Sequence, residues 1–165
     1  MPEKKTIKKA RRAKRRGRSA STQAGAFVRE EMHHVRKGKH GARSTKQAIA
    51  IGLSKARRAG VHLKPPRKGQ ASARTRKSAQ RAYARGRRAG SRGRPSTKRS
   101  RAISKALRRE GHRAASRKAL ARQAHSAARH RGTAARSAAA KKAARTKGPR
   151  LRSAAAKKAA RARAT

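Results

Sequence analysis

The sequence predicts a mostly disordered basic chain that holds one small all-α helical hairpin. Two observations predict this fold class. The 165 residues include 54 Lys and Arg against four acids, for a formal net charge of +50, so the free chain should repel itself. Most of its apolar residues are Ala, and Ala buries too little area to offset the entropy lost when a chain is ordered.

Residues 1–20 are predicted to form a disordered basic arm, because beyond Ile7 nothing apolar could anchor them. The hairpin is predicted at 21–63. In its first helix an apolar stripe recurs at near-heptad spacing, with Ser21 or Thr22 as the cap and Gly38 at the end. The stripe consists of Ala24, Val28, Met32 and Val35, and Phe27 widens it.

The second helix carries the clearest local signal in the chain. Ser44 and Gln47 match a capping box, in which the Ser caps the helix and the Gln reaches back. Gly60 followed by Val61 is typical of a Schellman end with its apolar contact. The apolar face is formed by Ile49, Leu53 and Ala56. Arg57 and Arg58 occupy the last turn, where the helix dipole favours cations, and they are candidate contacts to an anion.

Residues 64–98 alternate Arg and Lys with Ser, Gly and Ala, which predicts a flexible basic linker. The linker contains Arg92-Gly93-Arg94-Pro95, the core of an AT-hook. Gly lets an extended backbone lie on the floor of a narrow minor groove, and the flanking Arg side chains run along that groove. The alternative is a basic linker that contains this short string by chance.

Residues 99–165 are predicted to be an Ala/Lys/Arg-rich tail. The ten residues 136–145 recur identically at 152–161. Ala, Lys and Arg favour helix, but like charges one turn apart repel and no apolar face exists. We therefore expect the tail to be disordered when free and helical when bound to phosphate. Its candidate phosphate contacts are Lys141, Lys142 and Arg145 in the first copy and Lys157, Lys158 and Arg161 in the second.

Neither catalysis nor metal binding is expected. The chain has no Cys and no Asp, and its only neighbouring carboxylates are the adjacent Glu30 and Glu31. Nothing in such a chain could hold a catalytic constellation rigid. His33, His34 and His40, with Glu30 and Glu31, are the residues that could suggest a metal site. His33 and His34 are adjacent and so point to different faces of a helix, and neither has another His four residues away. We therefore interpret them as histidines on a polar face near a phosphate surface. We expect no enzyme activity, no metal ion and no cofactor.

Residues 27–39 and 44–60 resemble an uncharacterised family of small basic bacterial proteins, and Gln-Ala-Ile-Ala-Ile-Gly-Leu-Ser at 47–54 is the specific part. This resemblance implies a domain boundary around the hairpin and a bacterial origin, and it implies no activity. The Ala-Ala-Ala-Lys-Lys-Ala-Ala segments of the tail are similar to the tails of linker histones and of bacterial histone-like proteins. That similarity implies DNA compaction.

The charge predicts a polyanionic partner. Duplex DNA carries two phosphates per base pair, so the net charge matches roughly 25 base pairs. Single-strand readers stack bases on aromatic side chains, and this chain has one Phe and one Tyr. We therefore expect a histone-like, non-sequence-specific architectural protein that neutralises and condenses duplex DNA. No apolar run approaches a membrane span, so we expect a cytoplasmic, nucleoid-associated protein without a membrane partner.

Two alternatives stay open from the sequence. The first is a structured-RNA or ribosome-associated basic protein, since many ribosomal proteins join a small fold to long basic tails. In the second, the hairpin is a protein-interaction module, self-association included, and the basic tails anchor it to nucleic acid.

Overall fold

The computed structural model describes residues 2–87 and 96–162, and this part of the chain is 76% helical without any strand. The prediction of a mostly disordered chain is therefore wrong. Helices also occupy segments that the sequence assigned to an arm, a linker and a disordered tail. Their bounds are α1 Lys4–Arg15, α2 Ala20–Arg36, α3 Thr45–Arg58, α4 Ala73–Arg87, α5 Thr97–Arg108, a 3₁₀ helix Arg113–Ala115, α6 Arg117–His130 and α7 Gly132–Arg161.

The chain divides into two compact units, Met1–Leu120 and Ala121–Thr165. The candidate core lies in the first unit, where α2 and α3 pack together as the predicted hairpin and α1 and α4 pack against them. The second unit contains most of α6 and the whole of α7.

Both ends of α3 follow the capping signals in the sequence. The Ser44 hydroxyl accepts a hydrogen bond from the Gln47 amide at 3.1 Å, as predicted, whereas the Gln47 side chain reaches back to the amide of Arg43 at 2.7 Å. Gly60 has φ +87°, and the Val61 amide donates to the Ala56 carbonyl at 3.1 Å, which is the predicted Schellman end.

α2 begins two or three residues before the predicted start. Ser19, rather than Ser21 or Thr22, caps the helix, and its hydroxyl accepts from the Thr22 amide at 3.3 Å. Ala24, predicted on the apolar stripe, is fully buried.

The predicted arm is helix α1, packed on α2. Thr6 and Ala10 are buried, and half-buried Ile7 packs against the cluster around Phe27. Thr6 and Ala10 are small and one turn apart on the same face, so α1 can approach α2 closely. With this close contact, one large apolar residue, Ile7, is enough to hold α1 in place. The remaining members of the Phe27 cluster are Ala20, Ala24, Leu53, Ala56, Val61 and Leu63.

A second apolar cluster joins the hairpin to residues far along the chain. Ala114 and Ala115 of the 3₁₀ helix pack with Met32 and Val35 of α2. The backbone is tied as well, because the Thr45 hydroxyl donates to the Ala114 carbonyl at 2.6 Å. The other members of this cluster are Val28, Ala42, Ala48, Ile49 and Leu120.

The predicted flexible linker contains α4, whose Ala79 and Ala82 are buried and which packs against α3. Gly86 of α4 lies on the carbonyl of Arg57 with no room for a Cβ. Small residues thus bring α4 against α3 where large apolar side chains are missing.

The predicted disordered tail is helical in α6 and α7. Like-charge pairs one turn apart cost only about 0.2–0.5 kcal/mol each, and the high helix propensity of Ala, Lys and Arg outweighs that repulsion. Within α7, Gly148 leaves the helical conformation at φ 68° and ψ 169°. The two identical copies at 136–145 and 152–161 lie on either side of this break.

Candidate nucleic-acid interface

Three of the four acids in the chain meet in one cluster inside the first unit. Glu31 is fully buried, with Lys55 Nζ 2.5 Å from its Oε2 and His40 Nε2 3.1 Å from its Oε1. His34 Nε2 lies 2.9 Å from Glu3 Oε1. We call Glu3, Glu30, Glu31, His34 and His40, with Lys39 and Lys55, the acid–histidine cluster.

Helical geometry explains why adjacent Glu30 and Glu31 have different partners. Neighbouring residues on a helix point about 100° apart. Glu30 accepts the backbone amide of Glu3 at 2.9 Å, next to the start of α1, whereas Glu31 meets Lys55 of α3. The hydrogen bonds from His34 and then from Lys39 lower the pKa of Glu3. The acids therefore hold the three helices together.

Almost all exposed basic side chains in the described part of the chain lack a carboxylate partner. Among the described residues, Lys39 and Lys55 are the only Lys or Arg within 4 Å of a carboxylate oxygen. The cations form rows at helical spacing, on α4 with Arg74, Lys77, Arg81 and Arg85, and on α5 with Arg101, Lys105 and Arg108. Residues at these spacings share one helix face, so each row can follow a line of phosphates.

Arg57 and Arg58 have different surroundings although both were predicted to contact an anion. Arg57 is buried, its guanidinium donates to the carbonyls of Leu63 at 3.0 Å and Lys64 at 3.4 Å, and burial lowers its pKa. It fastens the loop after α3, and we leave it out of the interface. Arg58 is exposed. Desolvation and then the charge of Arg85 on α4 lower the pKa of Arg58, while Glu31 opposes them. An anion beside Arg58 and Arg85 would relieve this repulsion.

The predicted contacts in the tail lie on the exposed surface of α7. They are Lys141, Lys142, Arg145, Lys157 and Arg161. Lys141 and Arg145 are one turn apart on one face, as are Lys157 and Arg161. The AT-hook-like residues Arg92, Gly93, Arg94 and Pro95 lie outside the described residues, as does the side chain of Lys158.

Neither aromatic ring is free to stack a base. Phe27 is fully buried in the core. Tyr83 is half-buried, with the His62 ring edge-on at a centroid distance of 6.3 Å and the Arg87 guanidinium 5.7 Å from its ring centroid. Because the chain has no other Phe, Tyr or Trp, any contact to a nucleic acid would depend on the cations, the other polar side chains and the backbone.

The rows on α4 and α5 are the part of this surface that the sequence analysis missed. The signal was present, since Arg74, Lys77 and Arg81 are spaced three and four residues apart. Ala79 and Ala82 lie on the buried side of the same helix. The high Ser and Gly content around the helix led to its interpretation as a linker.

Residues 19–69 match a family of unknown function, DUF6496. The match spans the hairpin and supports the resemblance of this region to an uncharacterised family. No curated protein and no solved structure matches the chain. Within the part of the chain that the structure describes, no helix has the length and apolar character needed to cross a membrane.

Proposed function

We propose that the protein is a histone-like architectural protein of the nucleoid, which binds duplex DNA with little sequence preference and condenses it. One observation carries this proposal. Three of the four acids are gathered in the acid–histidine cluster, while the helices around them expose rows of Lys and Arg without a carboxylate partner in the described chain. Such a surface needs a polyanion for its charge balance.

Counterion release supplies the affinity. Each Lys or Arg that reaches a phosphate frees condensed cations from the duplex, so the free energy of binding grows with the number of phosphates engaged. Residues 121–165 carry 14 Lys and Arg and no acid. The rows on α4 and α5 belong to the first unit. Cationic helices in both units let one chain neutralise phosphates at more than one place, which is the physical requirement for condensation.

The proposal favours duplex over single-stranded nucleic acid. Readers of single strands gain about 1–3 kcal/mol for each base stacked on an aromatic ring. Here Phe27 is buried, and Tyr83 is engaged by His62 and Arg87. Phosphate contacts position a protein on the duplex but carry no base sequence, so we expect only weak sequence preference outside the Arg92-Gly93-Arg94-Pro95 motif.

A competition experiment with the full chain tests this proposal. The protein is bound to a fluorescent DNA duplex at physiological salt, and unlabelled duplex DNA or ribosomal RNA is added as competitor at equal phosphate concentration. We expect the DNA to displace the probe at the lower concentration, and light scattering to rise as the duplex condenses. Tighter binding to ribosomal RNA would overturn the assignment to DNA, and binding without any rise in scattering would overturn condensation.

A further inference from the structure

The protonation of His40 is constrained by its two neighbours. Its Nδ1 lies 3.0 Å from the carbonyl oxygen of Gly41. A carbonyl oxygen only accepts hydrogen bonds, so Nδ1 carries a hydrogen and donates it. In a neutral imidazole the other nitrogen, Nε2, then has a lone pair. That Nε2 is the atom that faces Glu31 Oε1 at 3.1 Å.

Glu31 Oε1, the atom opposite this lone pair, lacks a hydrogen-bond donor. The Glu31 side chain is fully buried, and Lys55 occupies Oε2. A buried carboxylate oxygen without a donor is costly, and a nitrogen lone pair opposite it makes the arrangement repulsive. A positive species between the two atoms removes both problems, and it is either a proton or a metal ion.

His34 brings a third donor to the same place. Its Nε2 is hydrogen-bonded to Glu3 Oε1 at 2.9 Å, so a bound ion would either use Nδ1 or displace that hydrogen bond. His34 follows Glu31 by three residues on α2 and therefore lies on the same face, and its side chain is only 10% exposed. One ligand atom each from Glu31, His34 and His40 lie within 4.8 Å of one another. Donors of a tetrahedral zinc ion, at about 2.0–2.1 Å from the metal, are about 3.3 Å apart. The pair formed by Glu31 and His40 is already near that spacing.

We propose that Glu31, His34 and His40 bind one divalent first-row transition ion, for which zinc is the natural probe. Two imidazoles and a carboxylate suit such an ion, whereas calcium and magnesium prefer oxygen donors alone. The Gly41 carbonyl holds the His40 ring through Nδ1, which is the usual outer-shell arrangement of a metal-binding histidine. The sequence analysis set these residues aside because no two of the histidines are four residues apart, and spacing alone does not show that the loop after α2 brings His40 beside Glu31 and His34.

The charges around the site admit a cation in spite of the net charge of the chain. Three carboxylates, of Glu3, Glu30 and Glu31, face two ammonium groups, of Lys39 and Lys55. Glu30 Oε2 is also buried without a hydrogen-bond partner. A bound ion would connect α2 to the loop leading into α3, so the site has a structural role and stabilises the folded hairpin by mass action.

Metal titration of the full chain, purified with a chelator and free of nucleic acid, tests the proposal. We expect one cobalt ion per chain, detected by visible absorption, and its displacement by one zinc ion. His40→Ala should weaken zinc binding by more than about 100-fold, since loss of an outer-shell partner alone costs about 10–100-fold. His33→Ala is the matched control, because His33 is the exposed neighbour of His34, and it should leave affinity unchanged. Equal affinities of the two variants, or no binding by the unaltered chain, would overturn the site.

A second measurement needs no substitution and so does not depend on whether a variant folds. Nitrogen NMR of the imidazole rings reports the state of each nitrogen in the full chain. On addition of zinc we expect Nε2 of His40 to change to a metal-bound shift, while Nδ1 keeps its hydrogen. If His40 carries hydrogens on both nitrogens near neutral pH, and zinc leaves its signals unchanged, a proton balances Glu31 and the proposal is wrong.

Discussion

Gly52 of α3 lies directly on Val28 of α2, so that a Cβ at position 52 would be 2.8 Å from the Val28 Cα. We expect Gly52→Ala to destabilise the protein by about 1–3 kcal/mol, because the clash is with backbone and cannot be relieved by a rotamer change. The measurement is chemical denaturation followed by circular dichroism.

Gly25→Ala is the matched control for this prediction. Gly25 is exposed in the middle of α2, and a Cβ there would meet nothing within 4 Å. Ala should therefore stabilise the protein by roughly 0.5–1 kcal/mol through helix propensity alone. If Gly52→Ala is as stabilising as Gly25→Ala, the helices are not in contact at this point.

Phe27 is the largest fully buried side chain and the centre of the cluster that joins α1, α2 and α3. Phe27→Ala should lower the free energy of unfolding by about 3–5 kcal/mol, a large part of the whole stability of a small domain. Ile103→Ala, which truncates a side chain that is 55% exposed on α5, should change it by less than about 0.5 kcal/mol. Thermal unfolding of both variants measures these changes. Similar losses of stability in the two variants would show that Phe27 is not at the core.

Glu3 gives the stability a dependence on acidic pH. Hydrogen bonds from His34 and Lys39 lower its pKa in the folded state below the ordinary value of 4.5. Its stabilising contribution is therefore fully present above pH 4.5 and is lost as the pH falls through the lowered pKa, because the unfolded chain binds the proton first. We expect Glu3→Gln to reduce the slope of melting temperature against pH below 4.5. Parallel slopes would show that Glu3 is unpaired in solution.

Local signals in the sequence predicted the hairpin. The packing of the other helices depends on long-range contacts, which no local pattern shows. The cap at Ser44 and the end at Gly60 depend on residues within one turn, and both predictions were confirmed. In contrast, α1 is held through Glu3, which meets His34, 31 residues away. Ala114 packs on α2 through a still more distant contact, with Val35, 79 residues away.

The candidate site was predicted only in its coarse chemistry. Composition predicts a cationic surface, and an excess of 50 positive charges leaves no other choice. Which cations lie on that surface depends on packing, so that Arg57 is buried beside exposed Arg58. The acid–histidine cluster could not be assembled from spacing, because its members come from α2, from the loop after it, from α3 and from the residue before α1.

Binding to duplex DNA should depend steeply on salt. With rows of cations on several helices, we expect the logarithm of affinity to fall against the logarithm of salt concentration with a slope more negative than about −8. Fluorescence anisotropy at a series of salt concentrations measures it. A slope near −2 would mean that only a few phosphates are engaged.

The arrangement of the cations should matter as well as their number. Replacing the α4 row Arg74, Lys77, Arg81 and Arg85 by Gln should make this slope less negative by about one for each phosphate that the row no longer neutralises. The matched control removes the same charge from four exposed positions on separate elements, Lys14, Lys37, Arg43 and Arg67. The row variant should show the larger change. Identical changes would mean that the duplex senses total charge alone.

The motif Arg92-Gly93-Arg94-Pro95 should add a preference for A/T-rich duplex. Arg92→Ala with Arg94→Ala removes two of 54 basic residues, so affinity for mixed-sequence DNA should fall only slightly. The ratio of affinities for A/T-rich over G/C-rich duplex should fall much more, because A/T tracts have the narrow minor groove that such a motif enters. If the unaltered chain binds A/T-rich and G/C-rich duplexes equally well at moderate salt, the motif is only a part of a basic linker.

Because Glu30 and Glu31 are buried while most of the described Lys and Arg are exposed, folding and binding should respond to salt with opposite signs. Buried ion pairs such as the one between Glu31 and Lys55 are screened far less than exposed charges. Added salt therefore screens the repulsion between the exposed Lys and Arg side chains but hardly weakens the buried ion pairs. The free protein should become more stable as a result. The same salt ions lower the affinity of the protein for phosphate. A salt concentration high enough to dissociate the protein from its partner should therefore leave the protein folded and able to bind again on dilution.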